Sequence, residues 1–163
     1  MNDLKTIELH KPFNAPAAIV FQAIADGMLF KVTGADEETM ENDFREGGSY
    51  QIFWKTFGTG TGQYLKIVPH SLISFTWNTT CTVKDGARHC VNDGTLRDTL
   101  VTLSLAETAD GCHLTLVHEG LEAGIIFEDH LRGWTTSLED LPTELLAHLG
   151  LGMEGPTAAR LEK

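Results

Sequence analysis

The stretch Phe127–Leu149, FEDHLRGWTTSLEDLPTELLAHL, carries Phe127, Leu131, Trp134, Leu138, Leu141, Leu145 and Leu149 at steps of three and four. On a helix that spacing sets all seven on one continuous apolar stripe. A stripe this long and bulky must lie on something apolar. Pro142 falls inside it, where its ring removes a backbone donor and crowds the carbonyl of Leu138. Past Gly150 the run Gly152–Pro156 ends regular structure, so a single domain over residues 1–150 and a loose tail over 151–163 are expected.

The partner of that helix lies upstream, where the apolar period changes to two. From Asn42 onward come Phe44, then Tyr50, Ile52 and Trp54, then Leu65 and Ile67, then Ile73, Phe75 and Trp77. Two further alternating runs, Thr99-Val101-Leu103-Leu105 and Leu114-Leu116-His118, flank the turn Ala109-Asp110-Gly111. Each run has one apolar face, as strands covered on one side do. Thr6–Lys11 reads as a first strand, Pro16 opens a short helix with Ile19, Val20, Ala23 and Ile24, and Gly27 stops it. Between Met28 and Met40 the pattern is irregular, and Asp36, Glu37 and Glu38 read as a solvated loop or short helix. The predicted class is α+β: a strongly curved antiparallel sheet with one long C-terminal helix across its inner face.

Composition agrees with one folded domain, since 163 residues at 42% hydrophobic and 21% charged suffice for one core. Twelve Lys and Arg against 23 Asp and Glu give a net charge of -11, which repels phosphate backbones and argues against nucleic acid. No segment approaches the ~18 continuous apolar residues of a membrane span, and the start lacks a basic, apolar leader, so a cytoplasmic location is expected. Three cysteines are an odd number and imply no disulfide framework.

Several segments together resemble a known family. Asp43–Tyr50, Gly62-Gln63-Tyr64 up to Pro69, Leu72–Trp77, Leu114–Leu121, and Gly133-Trp134 with Leu138 and Leu141 are similar to bacterial proteins that resemble the activator of heat shock protein 90 ATPase. That group sits in the START-like, or SRPBCC, superfamily. The resemblance spans about residues 6 to 149. It implies the helix-grip fold with a deep cavity for an apolar or aromatic ligand, in a superfamily of lipid carriers, polyketide aromatases and cyclases, and co-chaperone domains. Met28–Val32 departs from the pattern, since the family often has a tryptophan there.

Candidate chemistry follows from parity and helix angle. His118 shares parity with Leu114 and Leu116 and points inward, either to orient a ligand or as a core histidine bonded to a neighbour. His130, Ser137 and His148 lie along one edge of the helix stripe, at the cavity mouth or in solvent. The candidate ligand-binding set is Tyr50, Ile52, Trp54, Gln63, Phe75, Trp77, His118, His130, Trp134 and Leu138, with core packing as the competing reading. Gly58-Thr59-Gly60-Thr61-Gly62 reads as a turn, because it lacks the helix and lysine of a phosphate loop. If Asp85-Gly86 is a two-residue turn, Cys81 faces Cys90 while His89 projects to the other face, so the three make a poor metal site. The segment from Thr79 to Leu96 is then expected to protrude as a hairpin and loop.

No metal, cofactor or complete catalytic unit is implied by these spacings. The leading function is binding, carrying or sensing a small hydrophobic ligand, with homodimerisation left open. The alternatives are a cyclase-like or hydrolytic enzyme using the same cavity, guided by His118 or Tyr50, and a chaperone-interacting domain.

Overall fold

The computed structural model describes residues 4–30, 38–54, 58–78, 80–84, 87–91 and 99–148. Strand β1 (Leu4–Phe13) leads into helix α1 (Ala17–Ala25) and a 3-10 turn (Met28–Phe30). Then come β2 (Glu38–Asn42), β3 (Ser49–Trp54), β4 (Gly58–Val68), β5 (Leu72–Trp77), β6 (Thr80–Lys84), β7 (Ala87–Val91), β8 (Thr99–Thr108), β9 (Gly111–Glu122) and helix α2 (Ile125–His148). Seven strands make one antiparallel sheet in the order β1-β9-β8-β5-β4-β3-β2, with β6 and β7 as a separate pair. This is the expected α+β helix-grip arrangement. Among the described residues no helix is long and apolar enough to cross a membrane.

The inner face is written by alternation. Val101, Leu103 and Leu105 of β8 and Cys112, Leu114, Leu116 and His118 of β9 are buried, and each fully buried Leu or Val contributes roughly 1.5–3 kcal/mol. Alternation would then send Leu121 outward. It is buried because β9 takes three steps, from His118 to Leu121, where β1 takes two, from Ile7 to Lys5. Gly120 stands in this bulge at φ 90°, a left-handed conformation that a side chain resists.

Helix α1 starts after Pro16 as expected, and Glu107 of β8 accepts the N–H of buried Ala17, which has no partner within the helix, at 2.8 Å. Gly27, at φ 87°, closes it. Helix α2 continues through Pro142, burying Trp134, Leu138 and Leu141 and half-burying Phe127 and Leu131. Its backbone approaches β1, β9, α1 and the 3-10 turn, whose Leu29 is buried.

Four expectations change. The Met28–Met40 segment ends in strand β2 from Glu38, which was hidden because the sequence of this edge strand, ETMEN, is polar. Phe44 is not a strand residue; it lies in the β2–β3 connection with its ring edge-on to Phe21 and Tyr64, at 5.8 and 5.0 Å. Gly58–Gly62 is the start of β4 rather than a turn, and Gly60 and Gly62 pair with Ile52 and Tyr50. Leu65 is half exposed and Tyr64 is buried in its place, since a bulge between Tyr64 and Lys66 shifts the parity of β4. The pairing of β6 with β7 matches the expected register, with Cys81 opposite Cys90 and Lys84 opposite Ala87, and β7 runs close to β4. The cysteine and His89 side chains of that hairpin, and the tail over 151–163, lie outside the described residues.

Candidate functional site

Trp77 ends β5, His118 sits on β9, and His130 and Trp134 are one helical turn apart on α2. Strand parity turns the first two inward, and a spacing of four residues puts the other two on the same helix face. The structure brings all four together. Trp77 and Trp134 have ring centroids 5.5 Å apart, His118 and His130 5.4 Å, and His118 and Trp134 6.0 Å.

The hydrogen bonds fix both tautomers. An indole N–H can only donate, so Nδ1 of His118, 2.9 Å from Trp134 Nε1, accepts, and the His118 proton stands on Nε2. That Nε2–H donates to Thr99 Oγ1 at 2.7 Å, and Thr99 O–H donates to the Trp77 carbonyl at 2.8 Å. In the same way Trp77 Nε1–H donates to His130 Nε2 at 3.1 Å, and His130 Nδ1–H donates to the Ile126 carbonyl at 2.8 Å. Both imidazoles are neutral, since an added proton on either would point an N–H at an indole N–H. Burial first, and the neighbouring His130 second, push the His118 pKa down to about 3.

An aromatic wall extends from this group across the sheet. Tyr50 stacks on Trp77 at 6.2 Å and 25°, and meets Phe75 edge-on at 5.6 Å and Tyr64 at 5.4 Å. The Tyr50 hydroxyl donates to the Thr76 carbonyl at 2.5 Å, which is why position 62 is glycine: a Cβ there would overlap that carbonyl and crowd the hydroxyl. Tyr64 donates to Asn42 Oδ1 at 2.6 Å, and Asn42 Nδ2 donates to the Ala25 carbonyl at 2.9 Å, tying β2 and β4 to α1. Burial raises the Tyr64 phenol above its ordinary pKa, against the lowering effect of Asn42, so it stays neutral.

With this geometry in hand, the chain can be set beside known proteins. Residues 14–145 match the family model described as Activator of Hsp90 ATPase homolog 1-like protein. The chain belongs to this family. No curated protein matches it. Among solved structures, protein CV1439 from Chromobacterium violaceum is 28% identical with a TM-score of 0.65, over 84% of this chain and 94% of that one. CalU16 from Micromonospora echinospora is similar at 21% identity and a TM-score of 0.61, over 98% and 85% of the two chains. Protein SA2116 from Staphylococcus aureus keeps the fold at 12% identity, with a TM-score of 0.69 over 91% and 98%. Identities this low carry architecture and not residue roles.

In this Activator of Hsp90 ATPase homolog 1-like chain, Tyr50, Phe75, Trp77, His118, His130 and Trp134 form one connected aromatic group. Ile52 and Leu138 are buried in the same core. Gln63 is not with them: it pairs with Ser49 on the outer face and donates from Nε2 to the Gly47 carbonyl. Ser137 is buried on α2. The side chains of Trp54 and His148 lie outside the described residues. Thr99 is the member the sequence reading passed over, although its parity with Val101 already turned it inward. On the outer face, an open groove of about 610 Å³ includes Glu41, Asp43, Ser49, Gln51, Thr61 and Gln63 among its lining residues. Its lining also includes Gly62 and Tyr50, the latter a member of the aromatic group.

Proposed function

We propose that the domain binds a small apolar or aromatic molecule between α2 and the inner face of the sheet, among the rings of Trp77, His130 and Trp134. One observation carries this reading. All four imidazole nitrogens and both indole N–H groups are engaged with each other, with Thr99 or with Ile126, so a guest meets ring faces and edges. Such a surface selects aromatic and aliphatic matter over charge. The indole–imidazole bonds that join sheet to helix contribute only about 1 kcal/mol each, little enough to exchange for contact with a flat guest.

The same bonds weigh against the cyclase-like alternative. A general base needs an available lone pair, and the one lone pair of neutral His118 accepts the Trp134 proton. Tyr50 likewise commits its hydroxyl proton to the Thr76 carbonyl. Cys112, a buried free thiol, fits action in the reducing cytoplasm. The family's description offers a second reading, docking on a chaperone ATPase, for which the acidic outer groove supplies a surface of its own.

The test is a titration with an uncharged aromatic probe, 2-naphthol, followed by tryptophan fluorescence, together with mass spectrometry of small molecules extracted from the purified protein. Saturable quenching that Trp77→Leu abolishes is expected. No saturable change and no retained molecule would overturn the reading. Stimulation of a purified Hsp90 ATPase, lost on Glu41→Lys with Asp43→Lys, would favour the second reading instead.

A further inference from the structure

On the outer face of the β1–β9 pair, turned away from the inner-face aromatic group with which it shares strand β9, three polar atoms converge. His10 Nδ1 lies 3.1 Å from His113 Nε2 and 3.2 Å from Thr115 Oγ1. The register explains the meeting: His10 is paired with Thr115, and His113, two residues earlier on β9, is its diagonal neighbour on the same face. The two rings sit 5.2 Å apart. The other nitrogen of His10, Nε2, is 2.8 Å from Glu8 Oε2. A carboxylate only accepts, so Glu8 holds a His10 proton on Nε2, and in the neutral ring Nδ1 is then a lone pair turned toward His113 and Thr115.

We propose that Glu8, His10, His113 and Thr115 form a surface site for a divalent transition-metal ion of the imidazole-preferring kind, zinc or copper. Zinc holds imidazole nitrogens at about 2.0–2.1 Å, so neighbouring ligands of a tetrahedral ion lie roughly 3.3 Å apart. The observed separations of 3.1 and 3.2 Å need open by only a few tenths of an ångström, with the imidazole rings turning so that their lone pairs meet on the ion instead of on the neighbouring atom. Glu8 is the outer partner that orients a ligating imidazole and raises its basicity. The ion takes the lone pairs of His10 Nδ1 and His113 Nε2, and the proton that His113 Nε2 shares with His10 moves through solvent to His113 Nδ1. Thr115 Oγ1 and water complete the shell; β1 is an edge strand and leaves the site open. Among the described residues no set of three His, Cys, Asp or Glu side chains is placed to hold an ion, so this pair relies on the hydroxyl and solvent. An ion there would staple the edge strand to β9.

The experiment is a zinc chloride titration by calorimetry on the full chain, read in parallel by long-range ¹H–¹⁵N imidazole spectra, which assign each tautomer to its ring. The expected result is one equivalent bound with the His113 proton moving from Nε2 to Nδ1. Glu8→Gln should weaken binding by roughly 10–100-fold, the usual loss of an outer-shell carboxylate, and His10→Gln or His113→Gln by more. All three residues are on the surface face, so the variants should keep the wild-type melting temperature without metal. Unmoved His10 and His113 resonances at one equivalent of zinc, or equal affinity in wild type and His10→Gln, would overturn the site, even if the ion binds elsewhere on the chain.

Discussion

Acid should weaken this fold through one named residue. His118 is fully buried as a neutral imidazole, with its pKa lowered to about 3 from an ordinary value of 6.5. In the unfolded chain it takes up a proton below about pH 6.5, whereas the folded state refuses it until about pH 3. The unfolded state therefore binds more protons across that window, and stability present above pH 6.5 is lost as pH falls. The slope for a single group is about 1.4 kcal/mol per pH unit, so between pH 6.5 and pH 4 the loss from His118 is roughly 3 kcal/mol. Carboxylates also titrate there, so a comparison is needed. His118→Asn keeps an acceptor near the Trp134 indole but cannot titrate. Urea unfolding followed by tryptophan fluorescence at pH 7, 6, 5 and 4 gives the stability of each protein. Wild type should lead at pH 7 and lose about 3 kcal/mol of that lead by pH 4. Parallel curves for the two proteins would show that His118 is not a buried neutral group and would dismantle the tautomer assignment with it.

Three further outcomes follow from the same contacts. Thr99→Val leaves the His118 Nε2–H and the Trp77 carbonyl without their shared hydroxyl, and should lower stability by about 1–3 kcal/mol in chemical denaturation. Gly120→Ala forces a side chain into φ 90° at the β9 bulge and should cost roughly 1–2 kcal/mol, visible as a lower melting temperature, although a Cβ there meets no atom closer than 3.7 Å. Gly62→Ala should be worse than Gly120→Ala, because its Cβ overlaps backbone that cannot give way; an equal or smaller loss would show that β4 and β5 have room to part.

The fold was legible where burial alone decides structure. The α2 stripe and the alternation of β5, β8 and β9 each carry a period that survives without knowing the neighbours, and strand parity with helix angle picked out Trp77, His118, His130 and Trp134 one at a time. Their mutual bonding was not legible, since an indole meets a particular imidazole nitrogen only after sheet curl and helix rotation are set by the whole core. Local signals also failed where backbone geometry overrode composition. Glycines at 58, 60 and 62 read as a turn, yet they lie in a strand where Gly62 makes room for the Tyr50 hydroxyl to reach Thr76. Leu65 read as core, yet the bulge beside it buries Tyr64 instead. The outer-face histidines were passed over because His10 and His113 are more than a hundred residues apart in sequence, and only the antiparallel register of β1 and β9 joins them.

The central claim, that a small apolar or aromatic guest sits between α2 and the inner sheet face, is met most directly by nuclear Overhauser transfer between bound 2-naphthol and the assigned indole protons. The account predicts cross-peaks from the probe to the rings of both Trp77 and Trp134 in the saturated complex. Saturable binding with cross-peaks confined to outer-face residues such as Gln51 and Gln63, and none to either indole, would contradict it.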